Sequence, residues 1–218
     1  MGYVRAFESM EVDVRGVHSA CEAEVSAMKL LLATMFLLAF SGQAQHLTLK
    51  IVPVQLGPFG SSIPSSVTFS CTTSYAVNRC VADCNALAQV LTKYPIETMG
   101  KWQFVLASSD RWAEIMSSLG GHPSSPAFTV LDSRVTVLEE ALFRAPPSRS
   151  TELLQQYGVS LDRLLDYAVT HELGHAMCHD WKEWTAEQVG RNLRTQLRIH
   201  CADNNRHGEA NPHVAILH

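Results

Sequence analysis

The sequence has little charge of either sign. Of 218 residues 17% are charged, the formal net charge is -4, and the isoelectric point is near 6.2. No block of Lys and Arg gathers anywhere along it, which removes the electrostatic footprint of a nucleic-acid binder and of a polybasic membrane patch. It also lacks internal repeats and low-complexity tracts, so solenoids are poor descriptions. The longest apolar run, Leu30 to Phe40, has 11 residues, against roughly 20 for a bilayer span. What remains is an ordinary globular composition with 46% hydrophobic residues and a length suited to one domain.

The short apolar run has a different meaning. Met28-Lys29 precedes it and the small residues Ser41-Gly42-Gln43-Ala44 follow. A basic start, an apolar segment and small residues before a cut describe a secretory signal peptide. The expectation is a leader over 1–27 with no assigned fold, a signal peptide over 28–44 cut after Ala44, and a domain over 45–218. The mature chain would then be secreted or periplasmic, without a membrane anchor. It would keep five cysteines: Cys71, Cys80, Cys84, Cys178 and Cys201. An exported chain can form disulfides, and an odd count leaves a thiol over. Cys71 with Cys80 or Cys84 is the simplest local loop. Cys80 and Cys84 fall one helical turn apart and should not bond each other. A long helix between Cys178 and Cys201 is expected to keep those two apart.

Alternation predicts strands at His46–Gln55, Val67–Ser70, Trp102–Ala107 and Ala127–Leu131. Spacings of three and four predict a helix over 81–93 with Val81, Cys84, Leu87 and Leu91 on one face. Another should run from a cap at Ser109-Asp110 to Leu119, stopped by Gly120-Gly121. Val135–Phe143 fits either a strand or a helix. Pro146-Pro147 precedes a helical half that continues to about Arg198, followed by a polar tail. Strands and helices alternate first and long helices come second, so the fold class is α+β, a small mixed sheet packed on a helical pair.

The strongest periodicity lies in 160–178. Ser160 suits an N-cap and Asp162 the positive end of the helix dipole. Leu161, Leu164, Leu165 and Ala168 mark a buried face, and its continuation lands on His171, His175 and Cys178. Two imidazoles at i and i+4 can bind one metal ion. Glu172, about 100° around the helix from His171, can reach a water on that ion without displacing it. Gly174 lets another backbone or a substrate come close. Zn2+ with three protein ligands keeps a place for water and brings its pKa near 7. A neighbouring carboxylate can then take the proton as the water attacks a carbonyl, and deliver it to the leaving amine. Glu172 is the residue local geometry offers for that task.

A third ligand is needed. On the next helix Glu183, Ala186, Gly190, Leu193 and Leu197 form one stripe, and Glu183 begins it at the end nearest the histidines. Glu187, one turn on, could be the ligand instead or an acceptor that orients a histidine. His179, Asp180 and Cys178 are further candidates.

The segment AVTHELGHAM, Ala168 to Met177, resembles the active-site helix of zincin metallopeptidases. No Gly follows His175 at the spacing of the His-x-x-Gly-x-x-His subgroup, whereas Glu183 to Gly190 is similar to the Glu-x-x-Ala-Asp-x-x-Gly segment of some gluzincins. The match covers about 25 residues, and the chain as a whole looks like small exported bacterial proteins described only as metallopeptidases. The resemblance implies a zincin-like fold in which Glu183 binds zinc and Glu187 orients a histidine. Two departures bear on the ligand: Glu in place of Asp at 187, and a very short connection after His175. A zincin-like fold also implies a cleft-bordering strand that pairs with an extended peptide, for which Ala127–Leu131 is the candidate. An oxyanion-stabilising group is expected too, from His200, His207, His213 or a Tyr. The leading expectation is a zinc-dependent peptidase acting on peptides or proteins. Others are a non-catalytic exported protein with a structural zinc, closed by a fourth ligand such as Cys178 or His179, and a zinc hydrolase of non-peptide amides with a compact pocket.

Overall fold

The structure, a computed structural model, describes residues 50–201. The leader, the signal peptide, its cleavage point, the strand start at His46 and the histidines at 207 and 213 lie outside the described residues.

Five strands form one mixed sheet. They are β1 (Ile51–Pro53), β2 (Val67–Thr72), β3 (Trp102–Ala107), β4 (Ala127–Val130) and β5 (Val135–Glu139), in the order β1-β2-β3-β5-β4. The three central strands are parallel, and β1 and β4 run antiparallel at the two edges. Parallel neighbours need a crossover, and helix α1 (Val77–Leu91) supplies it between β2 and β3. Helix α2 (Trp112–Leu119) follows β3 and ends at Gly120, whose φ of 76° is the left-handed conformation a helix stop uses. A short helix α3 (Ala141–Arg144) follows β5, and α4 (Pro147–Tyr157), α5 (Leu161–Cys178) and α6 (Glu183–Arg194) complete the fold.

Strand alternation sorts the core into two layers. Phe104, Leu106 and Leu138 turn to one face, where Leu87, Leu91, Leu164 and Leu173 of α1 and α5 meet them. Val105, Ala107, Val135 and Val137 turn to the other, against Trp112, Ile115 and Met116 of α2. This is a mixed α+β protein, with helices on both faces of its sheet.

Several expectations need correction. The ambiguous segment 135–143 is both things in turn: β5 is buried along its whole length, which hides strand alternation, and α3 begins two residues later. Helix α1 begins at Val77, and its inward face carries Cys80, Asp83, Cys84, Leu87, Ala88 and Leu91, while Val81 is exposed. Neither Ser109 nor Asp110 caps α2, which starts at Trp112 after Arg111. The last helix stops at Arg194, not Arg198, so Leu197 lies beyond it and is exposed. That early stop also overturns the separation of Cys178 from Cys201. The chain beyond Thr195 returns to the far end of α5, and the two cysteines form a disulfide. A second disulfide joins Cys71 to Cys80, leaving Cys84 free and buried.

Candidate metal centre

Helix α5 passes the edge of the sheet beside β4 and packs along α6, which runs antiparallel to it. Close approach of the two helices depends on missing side chains. A Cβ on Gly174 would lie 2.6 Å from the Ala186 carbonyl oxygen, and one on Gly190 would lie 3.0 Å from that of Thr170. The turn between the helices is made by His179, which caps α5 in the left-handed conformation with a φ of 47°. Asp180 stabilises the start of α6: its carboxylate accepts from the Lys182 amide and the Thr185 hydroxyl.

This hairpin brings His171, His175 and Glu183 together. One ligand atom from each lies within 4.8 Å of the others. His171 Nε2 is 2.9 Å from Glu183 Oε2, and His175 Nε2 is 3.4 Å from Glu183 Oε1. His175 Nδ1 donates to the Asp180 carbonyl at 2.7 Å, so in the neutral ring its Nε2 carries the lone pair that faces the cluster. Two imidazoles and a carboxylate form a nitrogen and oxygen donor set suited to a divalent ion such as zinc. Glu172 is buried beside them, and its Oε2 has no hydrogen-bond partner. An orphaned buried carboxylate oxygen is costly, and it fits a site built to receive something more. The residues present therefore suit a metal.

Glu187 stands behind His171 rather than in the cluster, with Oε2 3.7 Å from Nδ1. It accepts from the Tyr167 hydroxyl at 3.0 Å and from Arg194 at 3.4 Å, and Arg194 in turn lies over the Tyr167 ring. The other nominated ligands are placed elsewhere. Cys178 is in its disulfide, His179 is exposed at the turn, and the Asp180 carboxylate serves α6.

The electrostatics follow from the geometry. Burial would push the His171 ring toward its neutral form, but its bond to Glu183, the nearby Glu187 carboxylate and the charge of Glu172 outweigh that and hold its pKa up to about 10. His175 is raised for the same kind of reason, again against burial. Glu183 is held down to about 2, because its bonds to the two histidines overcome the opposing effect of burial.

A narrow cleft opens over the cluster, with an empty volume of about 310 Å³ lined by Ser125, Ala127, Phe128, Thr129, Trp181 and the site residues. Part of its wall is β4, which lies at the edge of the described sheet, so the segment expected at Ala127–Leu131 to border a cleft does so. A second, mostly apolar cavity meets His171 and Glu172 from the other side, bounded by Pro126, Tyr157, Leu164, Tyr167 and Ala168. Of the nominated oxyanion groups, His200 is exposed and lines neither space, whereas Tyr157 lines the second. Sequence reading passed over Tyr167 and Trp181 as site residues. Tyr167 had a signal, since it precedes His171 by one turn on the same face. Trp181 had none beyond its place in a turn; in space it meets Phe128 of β4, with ring centroids 6.5 Å apart. Comparisons of the chain with protein-family models, curated proteins and solved structures find no match.

Proposed function

We infer that this chain is an exported zinc-dependent peptidase of gluzincin-like design, with Glu172 as general base. The reading rests on one observation above the rest: two buried histidines and Glu183 converge beside Glu172, whose Oε2 has no hydrogen-bond partner among the described residues, in a cleft walled by the edge strand β4. His171, His175 and Glu183 would hold the ion. Zinc in such a site supplies Lewis acidity, polarising a carbonyl and acidifying water. The protein's own residues do the rest. Glu172 accepts a proton at Oε2 and returns it to the departing amine. The Asp180 carbonyl keeps His175 in the tautomer that binds, whereas Glu187, braced by Tyr167 and Arg194, sets its negative charge 3.7 Å from His171 Nδ1 without bonding it. Strand β4, an edge strand among the described residues, would pair with an extended peptide.

Two disulfides among the described residues suit an oxidising compartment, and no helix there is long and apolar enough to cross a membrane. A closed structural zinc site is the weaker account, because Cys178 and His179 are not available as the fourth ligand. The narrowness of the cleft favours one second reading, hydrolysis of a small amide, so small acyl amides belong in the same assay.

The test is zinc content and cleavage of casein, a peptide library and small amides by the full chain, alongside Glu172→Ala. One zinc per chain, with cleavage lost in the variant and zinc retained, is the expected result. Zinc without hydrolysis of any of these would favour a structural site, and absence of zinc would remove the basis of the proposal.

A further inference from the structure

The three buried sulfurs at the start of α1 form a cluster that the metal centre does not use. Cys71 on β2 is bonded to Cys80, and the free Cys84 sulfur lies 3.9 Å from that of Cys71. Cys80 and Cys84 stand one turn apart on the same face of α1, so both flank the one strand sulfur. We propose that Cys71 is a shared partner, and that Cys84 exchanges with Cys80 for it inside the folded protein. The Cys84 thiolate attacks the Cys71 sulfur, the Cys71–Cys84 bond forms, and the Cys71–Cys80 bond breaks. The electron pair leaves on Cys80, which takes a proton from solvent. One disulfide and one thiol stand on each side of this step, so no outside oxidant or reductant enters.

Geometry gives the exchange a direction of use. Cys84 is fully enclosed, whereas Cys80 lies in the first turn of α1, beside the exposed Val77 and Val81. The positive end of the helix dipole favours a thiolate there, and no acidic residue stands in that turn to oppose it. A stabilised thiolate is a better leaving group. Exchange therefore moves the free thiol from the fully enclosed Cys84 to Cys80, which is itself buried at 5% exposure but is the nearer of the two to the helix start and to solvent. Burial, aided by the charge of Asp83, pushes the Cys84 thiol up to about 12, so the attacking form is scarce at neutral pH. The charged and titratable groups at this corner are Asp83 and Arg79 on α1, Tyr75 ahead of it, and Glu140 and Arg144 around α3. Tyr75 and Arg144 both bond Asp83, and Arg79 pairs with Glu140.

The experiment labels the native full chain with N-ethylmaleimide across a series of pH values within which circular dichroism reports an intact fold. Cleavage before Asp83 separates Cys80 from Cys84, and mass spectrometry locates the label and the disulfide. The expected result is label accumulating on Cys80 with Cys71 joined to Cys84, at a rate rising about tenfold per pH unit as the thiolate fraction grows. Cys84→Ser should abolish labelling of Cys80, and Cys80→Ser should give a folded chain with a Cys71–Cys84 disulfide. Label confined to Cys84, no label at Cys80 in the folded chain, or a free Cys71 in Cys80→Ser would each overturn the proposal.

Discussion

The carboxylates around His171 favour the protonated form of its ring, which makes pH the first probe of the site. His171 has its pKa raised from 6.5 to about 10. A raised value means that its contribution to stability is complete below 6.5 and is lost as pH climbs through about 10. Glu183 is lowered from 4.5 to about 2, so its contribution is complete above 4.5 and is lost as pH falls through about 2. Melting of the chelator-treated chain should therefore weaken across the alkaline half of this range. Added zinc should remove that weakening, because the ion replaces the proton on His171. A melting temperature that falls equally with and without zinc would contradict it. Roles within the acidic pair are also separable at this scale. Glu187→Gln should weaken zinc binding by about 10- to 100-fold, the usual cost of an orienting group. Glu183→Gln, which removes a ligand charge, should weaken it more, as read by competition with a chromogenic chelator. The reverse order would make Glu187 the ligand. That His171 and His175 share a face was legible because residues one turn apart on a helix lie side by side. The choice between Glu183 and Glu187 depended on how two helices meet, which one helix's periodicity does not state.

The meeting of α5 and α6 is set by two glycines, and Gly174 is the sharper case. Its missing Cβ faces backbone atoms of Ala186, with the Cα only 2.7 Å away, and backbone cannot swing aside as a side chain can. Gly174→Ala should cost about 1–3 kcal/mol of stability, as overpacking does. It should also weaken metal binding, since it separates the histidines from Glu183. Gly158→Ala is the contrasting variant. It meets no neighbour but sits at a φ of 63°, so chemical denaturation should show a loss while zinc affinity stays unchanged. Equal effects of both variants on the metal would mean that the helix contact does not position the site. Element type was readable where one face is polar, as in α6, whose Ala186, Val189, Gly190 and Leu193 are buried while Trp184, Gln188 and Arg191 are exposed. It failed at 135–143, where a doubly buried strand and a helical turn follow each other without punctuation. Residue Gly174 was legible as a point of close approach, and Ala186 as part of the inward stripe; that they face each other required the turn at His179.

At the scale of the molecule, two disulfides divide the work unequally. Cys71–Cys80 spans 9 residues and ties α1 to the sheet, away from the metal centre. Cys178–Cys201 spans 23 residues and encloses the whole of α6, with Glu183 and Glu187 on it. A closed loop of this length is worth about 3 kcal/mol through the unfolded chain. Breaking it also frees the segment that holds α6 against α5. The Cys178→Ala/Cys201→Ala double variant should therefore lose stability in denaturant titration and bind zinc more weakly. Opening the first bridge by Cys71→Ala should lower stability and leave zinc affinity as it was. If removing the second bridge lowers stability but not zinc affinity, packing at Gly174 and Gly190 alone holds the ligands in place. The sequence hid this bridge for a physical reason. Apolar residues persist to Leu197, so helical spacing appears to run on, whereas the chain leaves the helix after Arg194 and doubles back. Where a helix stops decides which distant residues can meet. Here four residues at a helix end separate two cysteines held apart from two cysteines that close a loop around Glu183 and Glu187.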